Sequence, residues 1–115
     1  DDELHREMEC MRWWEAEYPF AAGAQLLAGR GPTWRYAHSM LALWRDIMTG
    51  LADGEAALVI GHSGELELTL LACFPDLDHT LWGRPFGPCE GASLVFSGEP
   101  ARFTSVTLVR TMIKE

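Results

Sequence analysis

The chain has 115 residues, 48% of them hydrophobic and 23% charged, which is the make-up of one ordinary globular core rather than of several domains or a disordered chain. Nine Lys plus Arg against 17 Asp plus Glu give a formal net charge of −8, so the summed field repels polyanions and argues against nucleic acid or an anionic membrane as a partner. No apolar run approaches the ~18 residues of a membrane span and no basic leader opens the chain. A single cytoplasmic domain over residues 1–115 is expected, and its start at Asp1 rather than Met is what a processed or excerpted chain shows.

From Glu3 to about Tyr18 the chain is charged and aromatic, with Leu4, Met8 and Met11 at helical spacing, and reads as helix or irregular structure that Pro19 interrupts. Residues Ala21 to Pro32 are small, Gly-bearing and without period, which predicts a loop carrying at most one short turn of helix. Pro32 and Thr33 then start the clearest helix, where Trp34, Ala37, Leu41, Trp44, Met48 and Leu51 recur every three or four residues until Asp53-Gly54. Ala56 to Ile60 is an unbroken apolar run of the kind found in a strand buried on both faces of a parallel sheet.

Gly61-His62-Ser63-Gly64 turns the chain into a helix from Glu65 to Phe74, ended by Pro75, with Leu66, Leu70 and Cys73 on one side. Asp76 to Gly91 carries too many Gly and Pro to be anything but loop. Ala92 to Phe96 and Phe103 to Val109, joined by Ser97-Gly98-Glu99-Pro100, read as a closing hairpin. Cys10, Cys73 and Cys89 form no pair with metal or redox spacing and are expected as buried thiols in a reducing compartment.

The turn at His62 carries the chemistry. Ligands of open α/β sheets bind beyond the carboxyl ends of the strands, where a strand-to-helix turn offers free backbone N–H groups to an anion. Gly61 and Gly64 allow close backbone approach, and an imidazole between them can donate to a phosphoryl oxygen or simply be satisfied structurally. Glu65 and Glu67 suit the first turn of the helix electrostatically and are expected to face away from an anion. Gly61-His62-Ser63-Gly64-Glu65 also approaches the Gly-x-Ser-x-Gly elbow of α/β-hydrolases with Ser63 as nucleophile. Glu65 in place of the last glycine, and His79 as the one downstream histidine, count against that alternative.

Ala57-Leu58-Val59-Ile60-Gly61-His62-Ser63-Gly64 resembles the second catalytic motif of the histidine phosphatase (phosphoglycerate mutase-like) superfamily, a hydrophobic strand followed by Gly/Ser-His-Gly/Ser-Gly. Trp82-Gly83-Arg84-Pro85-Phe86-Gly87-Pro88-Cys89-Glu90-Gly91 is similar to the loop that follows it. Leu4-His5-Arg6-Glu7-Met8-Glu9-Cys10-Met11-Arg12-Trp13-Trp14-Glu15 is similar, with small insertions and no glycine, to the family stretch Leu-x-Glu-x-x-x-Gly-x-Trp-Glu-Gly. This places the family's acid at Glu7, with Glu9 as the rival register.

The resemblance covers the family's C-terminal half. It implies a partial three-layer α/β sandwich with a mostly parallel sheet, ending in a C-terminal β-hairpin and lacking the N-terminal nucleophile-bearing strand. It implies a phosphomonoester hydrolase working through phosphohistidine on a small phosphorylated substrate, without metal or other cofactor. His62 would hold the phosphoryl group with Gly61, Ser63 and Gly64 around it, and Glu7 would serve as acid and base. Arg-His-Gly, the nucleophile motif, occurs nowhere in the chain, so inactivity in isolation is expected, or a non-catalytic phosphate-binding or regulatory module of the same fold. Loss of the neighbouring strand also predicts an exposed sheet edge, poor stability and self-association.

Overall fold

The computed structural model describes residues 2–111. Helix α1 spans Asp2–Met11 and is stopped at Arg12, which takes the left-handed conformation with φ 43°. A 3-10 turn at Trp13–Glu15 buries the Trp13 ring among the helices, where it is 1% exposed.

Helix α2 spans Pro19–Ala28, where the small-residue composition predicts a loop. Pro19 sits at the first helical position, where its fixed φ and missing N–H start a helix rather than break one. The buried residues Phe20, Gly23, Leu26 and Leu27 recur at three and four, a helical stripe made faint by its small members. Gly23 has a packing reason: a Cβ there would lie 2.9 Å from Leu71 Cδ1. Two helices therefore meet at a position where only hydrogen fits.

Helix α3 spans Pro32–Thr49 and buries Ala37, Leu41 and Trp44 on the face the periodicity marks. Its N-terminus is held from a distance, because the Thr33 N–H donates to Glu7 Oε1 of α1 at 3.0 Å. Helix α4 spans Glu65–Cys73 and buries all of Glu67, Leu68, Thr69, Leu70, Leu71 and Ala72, so it is a central helix rather than a one-sided one. Phe20 closes the core against Trp82 and Phe86, ring centroids 5.2 and 5.7 Å away, in edge and tilted arrangements.

Strands β1 (Gly91–Ser97) and β2 (Arg102–Val109) form an antiparallel hairpin with Leu94 opposite Val106 and a register shift between Val95 and Phe96. This is the only sheet among the described residues. The expected mostly parallel sheet of a three-layer sandwich is therefore not formed: four helices and one hairpin take its place.

The cause lies at Ala56–Ile60. The run is outside any helix or sheet pairing, and Leu58 and Ile60 are 86% and 85% exposed instead of buried on both faces. A helix closes its own backbone hydrogen bonds, but a strand needs a neighbour to do so, and none of the described residues pairs with this run. The thiols differ from expectation as well, with Cys10 and Cys89 exposed and Cys73 half-buried. Among the described residues no helix is long and apolar enough to cross a membrane.

Candidate functional site

The turn Gly61-His62-Ser63-Gly64 joins the unpaired run to α4 and is built from that helix upward. Gly64 holds φ +93°, a conformation few other residues adopt, and a Cβ on Gly61 would meet Leu66 Cδ2 at 3.0 Å. Gly64 is thus dictated by its backbone conformation, and Gly61 by close contact with the Leu66 side chain, which a Cβ would have to displace. They leave His62 exposed to solvent, and its ring makes no hydrogen bond among the described residues.

Beneath the turn lies a carboxylate whose role the sequence reading missed. Glu67 is 0% exposed, and its Oε1 accepts the Gly64 N–H at 2.8 Å while its Oε2 accepts the Phe86 N–H at 3.1 Å. Ser63 Oγ lies 2.8 Å from the same Oε2 and 3.1 Å from the Phe86 carbonyl, and its hydroxyl donates to one of them. The signal was available: an acidic residue three positions after a helix's N-cap reaches back to the cap's N–H. Glu67 thus ties the turn, the helix and the Phe86 loop together.

Glu65 turns elsewhere, its Oε2 accepting from the Tyr36 hydroxyl at 3.2 Å, and burial with the Glu65 charge beside it pushes that hydroxyl's pKa up. The backbone N–H groups of His62, Ser63 and Glu65 carry no hydrogen bond among the described residues. Three backbone donors without a partner among the described residues and a solvent-exposed imidazole therefore stand at the head of a nine-residue helix.

The turn opens on a groove of about 990 Å³, at the upper end of small-molecule sites in size. One wall is the extended run, another is β1, and Trp44, Met48 and Leu70 line it from the helices. Its ionisable lining residues among those described are Glu55, His62, Cys89 and Glu90, with no Lys or Arg. Arg84 and Arg110 pair with the lining residue Glu90 at 2.8 and 3.0 Å. Arg84 is thus a partner of a buried carboxylate.

Glu90 was also not singled out by sequence reasoning. Its carboxylate accepts the N–H groups of Gly87 and Thr111, which, ahead of the two arginines, hold its pKa down to about 2. It latches the end of β2 to the loop before β1.

Glu7 does not line this groove; its carboxylate serves the α3 N-terminus, and a Cβ on Gly31 would lie 2.5 Å from its other oxygen. Glu9 lies with His5, Arg6 and Cys10 around a shallow surface depression. His62 with Gly61 and Ser63 is brought together at the groove, while neither acidic candidate joins them. His79, the downstream histidine of the hydrolase alternative, bonds the Phe74 carbonyl through Nε2 at 2.7 Å and is far from free. No cluster of three or more His, Cys, Asp or Glu able to hold a metal is present among the described residues. No family model, no curated protein and no solved structure matches the chain.

Proposed function

We propose that this chain is the C-terminal part of a histidine phosphatase-type phosphomonoester hydrolase, in which His62 holds the phosphoryl group of a small substrate. One observation carries the reading: His62 stands solvent-open beside three unspent backbone N–H groups, with Glu65 and Glu67 both engaged by other partners. Such a turn can receive phosphoryl oxygens.

The same geometry argues that the chain does not complete the chemistry. The Glu67 carboxylate under the turn opposes an anion, and no free guanidinium offsets it in the groove. A phosphoryl acceptor and cationic donors have to come from outside residues 1–115, since Arg-His-Gly is absent from them. Glu7, the acid implied by the family resemblance, holds the Thr33 N–H, so its replacement costs stability as well as any proton transfer it performs. The Ser63 alternative is weaker, because its hydroxyl is held by Glu67 and the Phe86 carbonyl with no histidine bonded to it. Three free thiols, one of them, Cys73, pushed up to about 12 by burial, fit a reducing cytoplasm.

The test begins with the reading frame upstream of Asp1, which should encode Arg-His-Gly. Its full product should hydrolyse p-nitrophenyl phosphate, the 115-residue chain should not, and His62→Ala in the full product should abolish turnover. Undiminished turnover in that variant removes His62 from the mechanism. An upstream stop codon with no such motif leaves the non-catalytic phosphate-binding module, for which His62 resonances should move with inorganic phosphate.

A further inference from the structure

Two acids stand at the head of α4, and the fold secures them differently. Glu67 is 0% exposed, and its two oxygens accept the N–H groups of Gly64 and Phe86. Glu65, at the first position of the helix, has one side-chain bond among the described residues, from the Tyr36 hydroxyl of α3 at 3.2 Å, and no ion pair. Loss of one donor leaves Glu67 tethered by the other, whereas Glu65 is held by a single hydroxyl.

A carboxylate in the first turn of a helix is drawn by the helix dipole toward the same N–H groups that receive an anion. The donors left open at this turn are Glu65's own N–H and those of Ser63 and His62, two and three residues back. An unheld Glu65 side chain therefore opposes a bound phosphoryl group twice, by competing for its donors and by repelling its charge. Tyr36 ties the carboxylate to α3 instead. Burial and the Glu65 charge raise the pKa of the Tyr36 hydroxyl, so it stays protonated and goes on donating near neutral pH.

We propose that Tyr36 is a positioning residue of the phosphate site, keeping the Glu65 carboxylate off the turn so that the backbone donors beside His62 stay open to a phosphoryl group. Its role rests on phosphate binding at His62, the reading proposed above, and extends that site to a second helix.

The probe is inorganic phosphate, titrated into the protein that the whole reading frame encodes and followed at the His62 ring resonances. Tyr36→Phe should raise the phosphate Kd about fivefold, the factor carried by like unit charges roughly 4 Å apart in water. Glu65→Gln should bind at least as tightly as wild type, and Tyr36→Phe combined with Glu65→Gln should return to the wild-type Kd or below it. That rescue separates positioning from packing, because removing the Glu65 charge does not repair a damaged helix contact. An unchanged Kd in Tyr36→Phe overturns the proposal and leaves phosphate binding at His62 standing. So does a loss that Glu65→Gln fails to rescue, or weaker binding in Glu65→Gln alone. A wild-type protein whose His62 resonances ignore phosphate overturns the binding reading and the role of Tyr36 with it.

Discussion

Ala56–Ile60 and the leucine-rich stretch Leu66–Cys73 flank His62, yet Leu68, Leu70 and Leu71 are at most 2% exposed while Leu58 and Ile60 are 86% and 85% exposed. Hydrophobic content does not explain the difference, since the buried stretch is the one that carries Glu67 and Thr69. The helical run closes its hydrogen bonds within itself and needs only surfaces to pack on, which α2 and α3 provide, with Gly23 opened for Leu71. The extended run needs a neighbouring backbone, and among the described residues none pairs with it. β1 and β2 make the complementary case, because each is the other's neighbour across a short turn and their pairing is complete within 19 residues of chain, from Gly91 to Val109.

Replacing the same residue type on the two sides of His62 gives the largest contrast. Leu68→Ala removes a side chain that is 0% exposed and should cost about 3 kcal/mol. Leu58→Ala should stay within ~0.5 kcal/mol. Urea denaturation followed by circular dichroism compares them, and equal losses would mean that the extended run packs on the body after all. Next in size is Glu67→Gln, because an amide nitrogen cannot accept and one of the N–H groups of Gly64 and Phe86 loses its acceptor in a buried place. About 2 kcal/mol is expected, with broadened resonances in the Phe86 loop. A neutral outcome would detach Glu67 from the turn's architecture.

What could be read from the sequence follows the same division between local and non-local support. The α3 stripe of Ala37, Leu41 and Trp44 and the hairpin were legible because period and turn chemistry are properties of contiguous residues. Helix α2 was not, since Ala21, Ala22, Gly23 and Ala24 carry little hydrophobic signal and their fit depends on Trp13 and Leu71 far along the chain. Ala56–Ile60 reads as a buried strand but is neither paired nor buried, because pairing and burial both require a neighbour that a contiguous pattern does not encode. At the site, the glycines and the exposed His62 were read from the turn, whereas Glu67 and Glu90 act through acceptor geometry toward Phe86 and Thr111. Those contacts span 19 and 21 positions, beyond the reach of any local pattern.

A smaller effect is expected at the other long-range carboxylate in the body. Glu7→Ala leaves the buried Thr33 N–H at the start of α3 without its acceptor and should cost about 1 kcal/mol. Glu7→Gln keeps one carbonyl oxygen for that N–H and should recover most of the loss. In the full reading-frame product the same pair separates capping from catalysis: a glutamine that restores stability but not turnover assigns the carboxyl a chemical task in addition to the cap.

A last change is one of condition, and it falls on the hairpin side of the comparison. Glu90 takes the N–H groups of Gly87 and Thr111 and both arginines, which holds its pKa at about 2 against a usual 4.5. The folded state therefore binds this proton less readily than the unfolded chain does. The stability that Glu90 contributes is full above a pH of about 5 and drains away as the pH falls toward 2. Wild type and Glu90→Gln should differ in unfolding free energy near neutral pH and converge on acidification, with the end of β2 showing the first loss of amide protection. A gap that stays constant down to a pH of about 2 would mean that the charge on Glu90 is irrelevant and that shape alone seats the hairpin. Convergence would instead show that the hairpin, although it completes its own backbone pairing, depends on one buried carboxylate for its attachment, where the helical body depends on apolar packing.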